Sequence, residues 1–177
     1  MAYYATNEIT GSTTAVALTG IQTLRHSSVI STEAGDLVEV TGTIIFASGV
    51  NPAINDLIEL AVLPADHVPV DFILSNDDFD SNGTPTITIK LGLMTGTVGD
   101  AGRVLATVGV EGIASGSTLL QAPAYTRCAL ATFQQIAPST LVDRSIGLGI
   151  VASAATNPAT IRRIDFQLFY RAARYGA

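Results

Sequence analysis

Residues 55–96 read NDLIELAVLPADHVPVDFILSNDDFDSNGTPTITIKLGLMTG, and three runs within them alternate in hydrophobicity. Ile58, Leu60 and Val62 alternate with Glu59 and Ala61. Val68, Val70, Phe72 and Leu74 alternate with Pro69, Asp71, Ile73 and Ser75, and Ile87, Ile89, Leu91 and Leu93 with Thr88, Lys90, Gly92 and Met94. A period of two in β-branched and aromatic residues marks half-buried strands, because successive side chains point to opposite faces of a sheet. Turn formers separate the runs: Pro64-Ala65-Asp66 after the first, and Asn76-Asp77-Asp78-Phe79-Asp80-Ser81-Asn82-Gly83-Thr84-Pro85 after the second, which reads as a hairpin turn.

The same period extends outward. Val38, Val40, Ile44 and Phe46 share one parity, which predicts a long strand beginning near Asp36, and residues 47–55 follow as a Gly/Asn/Pro loop. Residues 95–102, TGTVGDAG, are another turn cluster, after which Val104, Ala106, Val108 and Val110 resume the alternation. Ser117-Thr118 caps a short helical turn through Leu119, Leu120 and Gln121 that Pro123 stops. Residues 125–136 fit helix or strand by their apolar positions, and strand is the expectation for their second half. Ile146, Leu148 and Ile150 alternate with glycines, and Ile164, Phe166, Leu168 and Tyr170 form the last strand; the two read as a hairpin.

About eight short strands with no long helix imply an all-β, single-domain antiparallel β-sandwich, with a jelly roll as the leading topology and a closed barrel second. Residues 1–35 are rich in Thr, Ser and Ala and poor in core-forming side chains. They read as an extended N-terminal arm with one short strand around Thr14 to Leu18 and a further piece around Ser28 to Ser31, terminal disorder being the alternative. The domain itself is expected over residues 36–177.

Of the 177 residues, 47% are hydrophobic and only 14% charged, well under the ~25% charge of ordinary soluble domains, so part of the apolar surface is expected to meet another chain. No run reaches the ~18 apolar residues of a membrane-spanning helix, and the first residues lack both the basic start and the apolar core of an export signal. A chain made in a cytoplasm and not secreted is the expectation. The net charge of −6 argues against general nucleic-acid binding. Residues 1–80 carry eleven acids against Arg25 alone, whereas residues 81–177 carry eight bases against four acids. That asymmetry suits subunits meeting unlike end to unlike end, or strands that interleave the charges within one subunit.

No reactive constellation stands out. Cys128 is the only cysteine, which excludes a disulfide framework and a multi-cysteine zinc site and makes it a candidate small core residue. Asp78-x-Asp80-x-Asn82-Gly83 opens like a calcium loop, but the twelfth position is Ile89 instead of a bidentate Glu. A looser surface calcium site or plain turn residues remain as readings. His67, with Asp66 and Asp71 nearby, resembles an acid–base pair but has no accompanying nucleophile, and His26 has no identifiable partner. Glu39 and Glu59 could face one another across strands, the raw material of glycoside hydrolysis, yet tryptophan is absent. Arg162, Arg163, Arg171 and Arg174 bracket the last strand, and at least two should face solvent or an acidic partner. No catalytic, cofactor-binding or metal-ligating residue is therefore assigned, and no enzyme activity is expected.

The segments Asp56-Leu57-Ile58-Glu59-Leu60 through Leu63-Pro64-Ala65, then Asn76 through Pro85 into Ile87-Thr88-Ile89-Lys90-Leu91-Gly92-Leu93-Met94, resemble small virion structural proteins of tailed bacteriophages. So does Ala114-Ser115-Gly116-Ser117-Thr118-Leu119-Leu120-Gln121-Ala122; the likeness spans roughly residues 36–125. The resemblance implies a β-sandwich of the capsid decoration (cement) type, a homo-oligomer, expected as a trimer, bound to the major capsid protein in the virion. It carries over no functional residue. A tail-associated or receptor- or carbohydrate-binding module is the alternative, and a small β-sandwich hydrolase a third.

Overall fold

A computed structural model describes residues 3–5, 37–100, 102–105, 112–127, 136–137 and 142–173. Within them lie nine strands: β1 (Tyr3–Ala5), β2 (Val38–Phe46), β3 (Leu57–Leu63), β4 (His67–Asn76), β5 (Thr88–Met94), β6 (Gly112–Ser117), β7 (Ala124–Arg127), β8 (Arg144–Ala152) and β9 (Arg162–Ala172). The expected helical turn is a single 3-10 turn, Leu119–Gln121, where Ser117 Oγ accepts the Leu119 N–H. The pieces expected at 14–18 and 28–31, together with His26, Cys128 and Arg174, lie outside the described residues.

The strands form two sheets, ordered β1-β3-β8-β5-β6 and β2-β9-β4-β7, so the chain is an all-β sandwich. Every pairing is antiparallel except β1 with β3, which is parallel. β2 pairs with β9, β3 with β8, β4 with β7 and β5 with β6. The second half of the chain thus retraces the first in reverse, as one long hairpin would if rolled so that its strands alternate between sheets.

That wrapping corrects two expectations. β8 and β9 are not a hairpin: β8 lies between β3 and β5, and β9 between β2 and β4 in the other sheet. Nor do β4 and β5 form one, since residues 77–87 cross from one sheet to the other. Both edges of β4 and of β8 are occupied by strands other than the one that follows in sequence, so the turn that follows each crosses the sandwich.

The inner faces carry the expected rows, with Ile44 and Phe46 from β2, Ile89, Leu91 and Leu93 from β5, Ile146, Leu148 and Ile150 from β8, and Ile164, Phe166 and Leu168 from β9 in one buried cluster. Phe72 and Phe166 stack at 6.1 Å, and Phe46 meets Phe79 edge-on at 5.4 Å. Two bulges shift the alternation read from the sequence. Register slips between Glu59 and Ala61, which turns Ala61 and Leu63 inward and moves Val62 to the outer side with Leu57. A second slip between Pro69 and Asp71 buries Pro69 and leaves Val68 and Val70 half-exposed, at a place where a proline's missing N–H is tolerated.

β3 is buried along its whole length because residues 94–105 cover its outer face. Val104 is exposed and Leu105 buried, the reverse of the expected parity, and residues 106–111 are not among those described. Met94, Val98 and Leu105 pack with Leu57 and Val62 there. The glycines of β8 make the room: a Cβ at Gly147 would come within 2.6 Å of Met94 Cγ, and one at Gly149 within 3.2 Å of Leu57 Cδ2.

Under this cover Arg103 donates to Glu59 and to Ser145, and also to the Met94 carbonyl at 2.9 Å and the Thr95 carbonyl at 2.8 Å, while the Gly99 N–H reaches the second Glu59 oxygen at 3.1 Å. Both side chains are fully buried. Burial pushes the Glu59 carboxyl up, against the opposing pull of Arg103, Ser145 and Gly99. Removing one member strands the other in a dry site, so Arg103→Met should cost ~3–5 kcal/mol in urea unfolding, and adding Glu59→Leu should recover much of that loss.

Candidate functional site

The polar residues singled out above do not converge on a reaction centre. Asp80 is buried and gathers the N–H groups of Thr86 (2.7 Å), Ile87 (3.2 Å), Ala155 (2.8 Å) and Thr156 (2.9 Å). It therefore ties the β4–β5 crossover to the β8–β9 crossover at one end of the sandwich. Burial alone would raise this carboxyl, but the four N–H groups hold it well below the usual carboxylate range. Asp78 and Asn82 make local turns, accepting from Asp80 N–H and Thr84 N–H at 2.8 Å each. The calcium-like spacing is thus used to shape a loop, its central carboxylate already occupied by backbone donors.

Neighbouring residues complete this polar knot. Asn76 donates from its amide to the carbonyls of Asp77, Leu119 and Ala122 at 2.8–3.0 Å, and Asp77 accepts the Arg163 N–H at 2.7 Å. Arg162 follows the core parity of β9 and is buried, with its guanidinium 5.2 Å from the Phe79 ring centre and one nitrogen on the Val50 carbonyl at 3.0 Å. Arg163 and Arg171 take the opposite parity, as expected; Arg163 pairs with Asp165 at 3.0 Å.

The other candidate pairs come apart. His67 begins β4, half-buried, with Nδ1 2.7 Å from the Ala65 carbonyl oxygen and its ring edge-on to Tyr170. Asp71 pairs with Arg127 at 2.7 Å instead, and Asp66 takes a left-handed turn conformation with φ 58°. Glu39 is exposed on β2, opposite Phe169 in one sheet, whereas Glu59 is buried in the other. The carboxylate pair of a glycosidase is therefore not assembled from these two. Glu59–Arg103 and Asp71–Arg127 both join an acid of the first half to a base of the second, so the charges interleave within the subunit. Sequence reasoning missed Arg103; the signal was Glu59, a lone acid inside the apolar run LIELAVL that needs a buried partner.

What remains for function is surface. Ile54, Val104 and Val151 are exposed by 53%, 58% and 43%, and the latter two border a groove of about 430 Å³ with Leu57, Lys90 and Leu105 on the outer side of the five-stranded sheet. A sandwich whose buried polar groups hold its own loops, and whose apolar side chains break the surface beside a groove, has the character of a structural subunit.

Known proteins agree with that class. A scan of protein-family models and a search of curated proteins return no match. Among solved structures, a chain of the capsid of Ralstonia phage GP4 is similar at 30% identity and a TM-score of 0.75, covering 99% of each chain. A chain of the cyanophage Pam1 capsid asymmetric unit shares the fold at 21% identity and a TM-score of 0.56, covering 78% of this chain and 86% of that one. The chain belongs to the family of phage capsid proteins represented by the former, and its role is structural, in the virion.

The Asp80 knot has a measurable consequence. Because its folded pKa lies below the ~3.9 of an unfolded Asp, its contribution is complete above about pH 5 and is lost as pH falls through the folded value. Asp80→Asn should cost ~2–4 kcal/mol near pH 7, and the gap from the parent protein should narrow below pH 4 in urea titrations. Melting in chelator and in millimolar calcium should coincide, since calcium would have to displace those N–H groups.

Proposed function

We propose that the protein is a decoration, or cement, protein: a non-enzymatic homotrimer that binds the major capsid protein and stabilises the head. The observation that carries this reading is the end-to-end correspondence with a capsid chain, over 99% of both. The strand orders β2-β9-β4-β7 and β3-β8-β5-β6 support assigning the sandwich to the jelly rolls, an architecture common in viral coats. Ile54, Val104 and Val151 supply apolar area of the kind a lattice contact removes from water.

In this reading residues 1–35 form the arm and residues 36–177 the sandwich. The parallel pairing of the short β1 at the edge of β3 favours an arm that works by strand addition, between subunits as well as within one. Partners are other copies and the major capsid protein, with no nucleic acid, membrane, metal or cofactor required. Synthesis in the host cytoplasm without secretion completes the proposal. No helix among the described residues is long and apolar enough to cross a membrane.

Light scattering should give about three times the 18.3 kDa chain mass. Val104→Asp with Val151→Asp should weaken the trimer or its attachment to capsids stripped of the protein, leaving the fold intact by circular dichroism. A monomer that neither binds stripped capsids nor alters their thermal stability would refute the cement role.

A further inference from the structure

Two neighbouring rows on the outer face of the four-stranded sheet are mainly polar, whereas exposed Val104 and Val151 stand on the outer side of the five-stranded sheet. Strand pairing sets Thr43, Asp165, Ser75 and Tyr125 in one row across β2, β9, β4 and β7, and Thr41, Gln167, Ile73 and Arg127 in the next. Two shallow depressions, of about 290 and 220 Å³, lie side by side with Asp165 and Gln167 in both linings, the first completed by Thr41 and Thr43 and the second by Ile73, Ser75 and Tyr125. Tyr125, in the second, is 70% exposed, with its hydroxyl 3.5 Å from Gln167 Oε1.

We propose that this band of two neighbouring depressions binds a neutral polysaccharide chain. A pyranose offers an apolar C–H face and a rim of hydroxyls that both donate and accept. The band has the matching parts: the exposed Tyr125 ring for the face, and the Asp165 carboxylate, the Gln167 amide and the Thr41 and Ser75 hydroxyls for the rim. Asp165 is paired with Arg163, and Arg127 with Asp71, so the band offers no uncompensated charge to an ionic ligand. A protein partner would need a cluster of apolar anchors at its centre, whereas Ile73 and Tyr125 are the large apolar groups of these two rows. Four strands span about 14 Å at the usual spacing, room for about three sugar rings of a chain lying along the band. The inference goes beyond the cement reading and does not depend on it: a capsid subunit with this face would also hold the particle to a glycan-coated surface.

Affinity electrophoresis of the full chain tests this, in native gels containing glycogen, hydroxyethyl cellulose, mixed-linkage β-glucan or galactomannan. At least one should retard the protein. Tyr125→Ala and Gln167→Ala should each weaken that retardation about tenfold, Tyr125→Phe should retain most of it, and melting temperatures should confirm folding. Tyr125 is on an edge strand and exposed, so its alanine variant decides the matter even if Gln167→Ala is unstable. Retardation by none of the four polysaccharides, or retardation unchanged in Tyr125→Ala, overturns the proposal.

Discussion

The apolar contact between the two sheets is the constraint to which the rest of the structure answers. β8 and β9 both lie inside their sheets, β8 between β3 and β5 and β9 between β2 and β4, and their inward rows, Ile146, Leu148 and Ile150 from one sheet and Ile164, Phe166, Leu168 and Tyr170 from the other, belong to one core. Both rows must leave water together, so the turn joining them has to cross the sandwich. Once it does, the polar groups of each crossover need partners at the sandwich end, and Asp80 serves the two crossovers at once. The knot is thus a consequence of the wrapping, and it also locks the wrapping in place.

The two outer faces divide the remaining work. On the five-stranded side, glycines in β8 admit Met94 and Leu105, a small second core forms, and apolar side chains reach the surface around a groove. On the four-stranded side, two neighbouring rows carry hydroxyls, an amide and paired charges together with Ile73, and Ile45, Phe169 and Glu39 flank them. The buried Glu59–Arg103 pair belongs to the first face. Paired ions under a loop seldom stabilise more than an apolar pair would, but they tolerate few alternative placements and so specify where residues 94–105 sit.

The alternations at 38–46, 87–94, 146–150 and 164–170 determined by themselves that the protein is built of strands with one apolar face, and the turn clusters between them determined where the chain reverses. Period-two patterning is a local property, set by the geometry of an extended backbone, which is why it survives without tertiary context. The capsid resemblance rested on the same local pattern of turns and strands. Only the tertiary structure decided which strands share a sheet, because an apolar row fits either sheet equally well and adjacency in sequence wrongly favoured a β8–β9 hairpin. It also decided the bulges at Leu60 and Val70, which reverse parity, the first with no sequence mark and the second beside Pro69, and the parallel β1 edge. The Glu59–Arg103 and Asp71–Arg127 pairs join residues 44 and 56 apart in the chain, and the polar band of Thr43, Asp165, Ser75 and Tyr125 draws one residue from each of four strands. Such groupings depend on register between distant segments, and register is set by the burial of a whole sheet face, not by any one stretch of sequence.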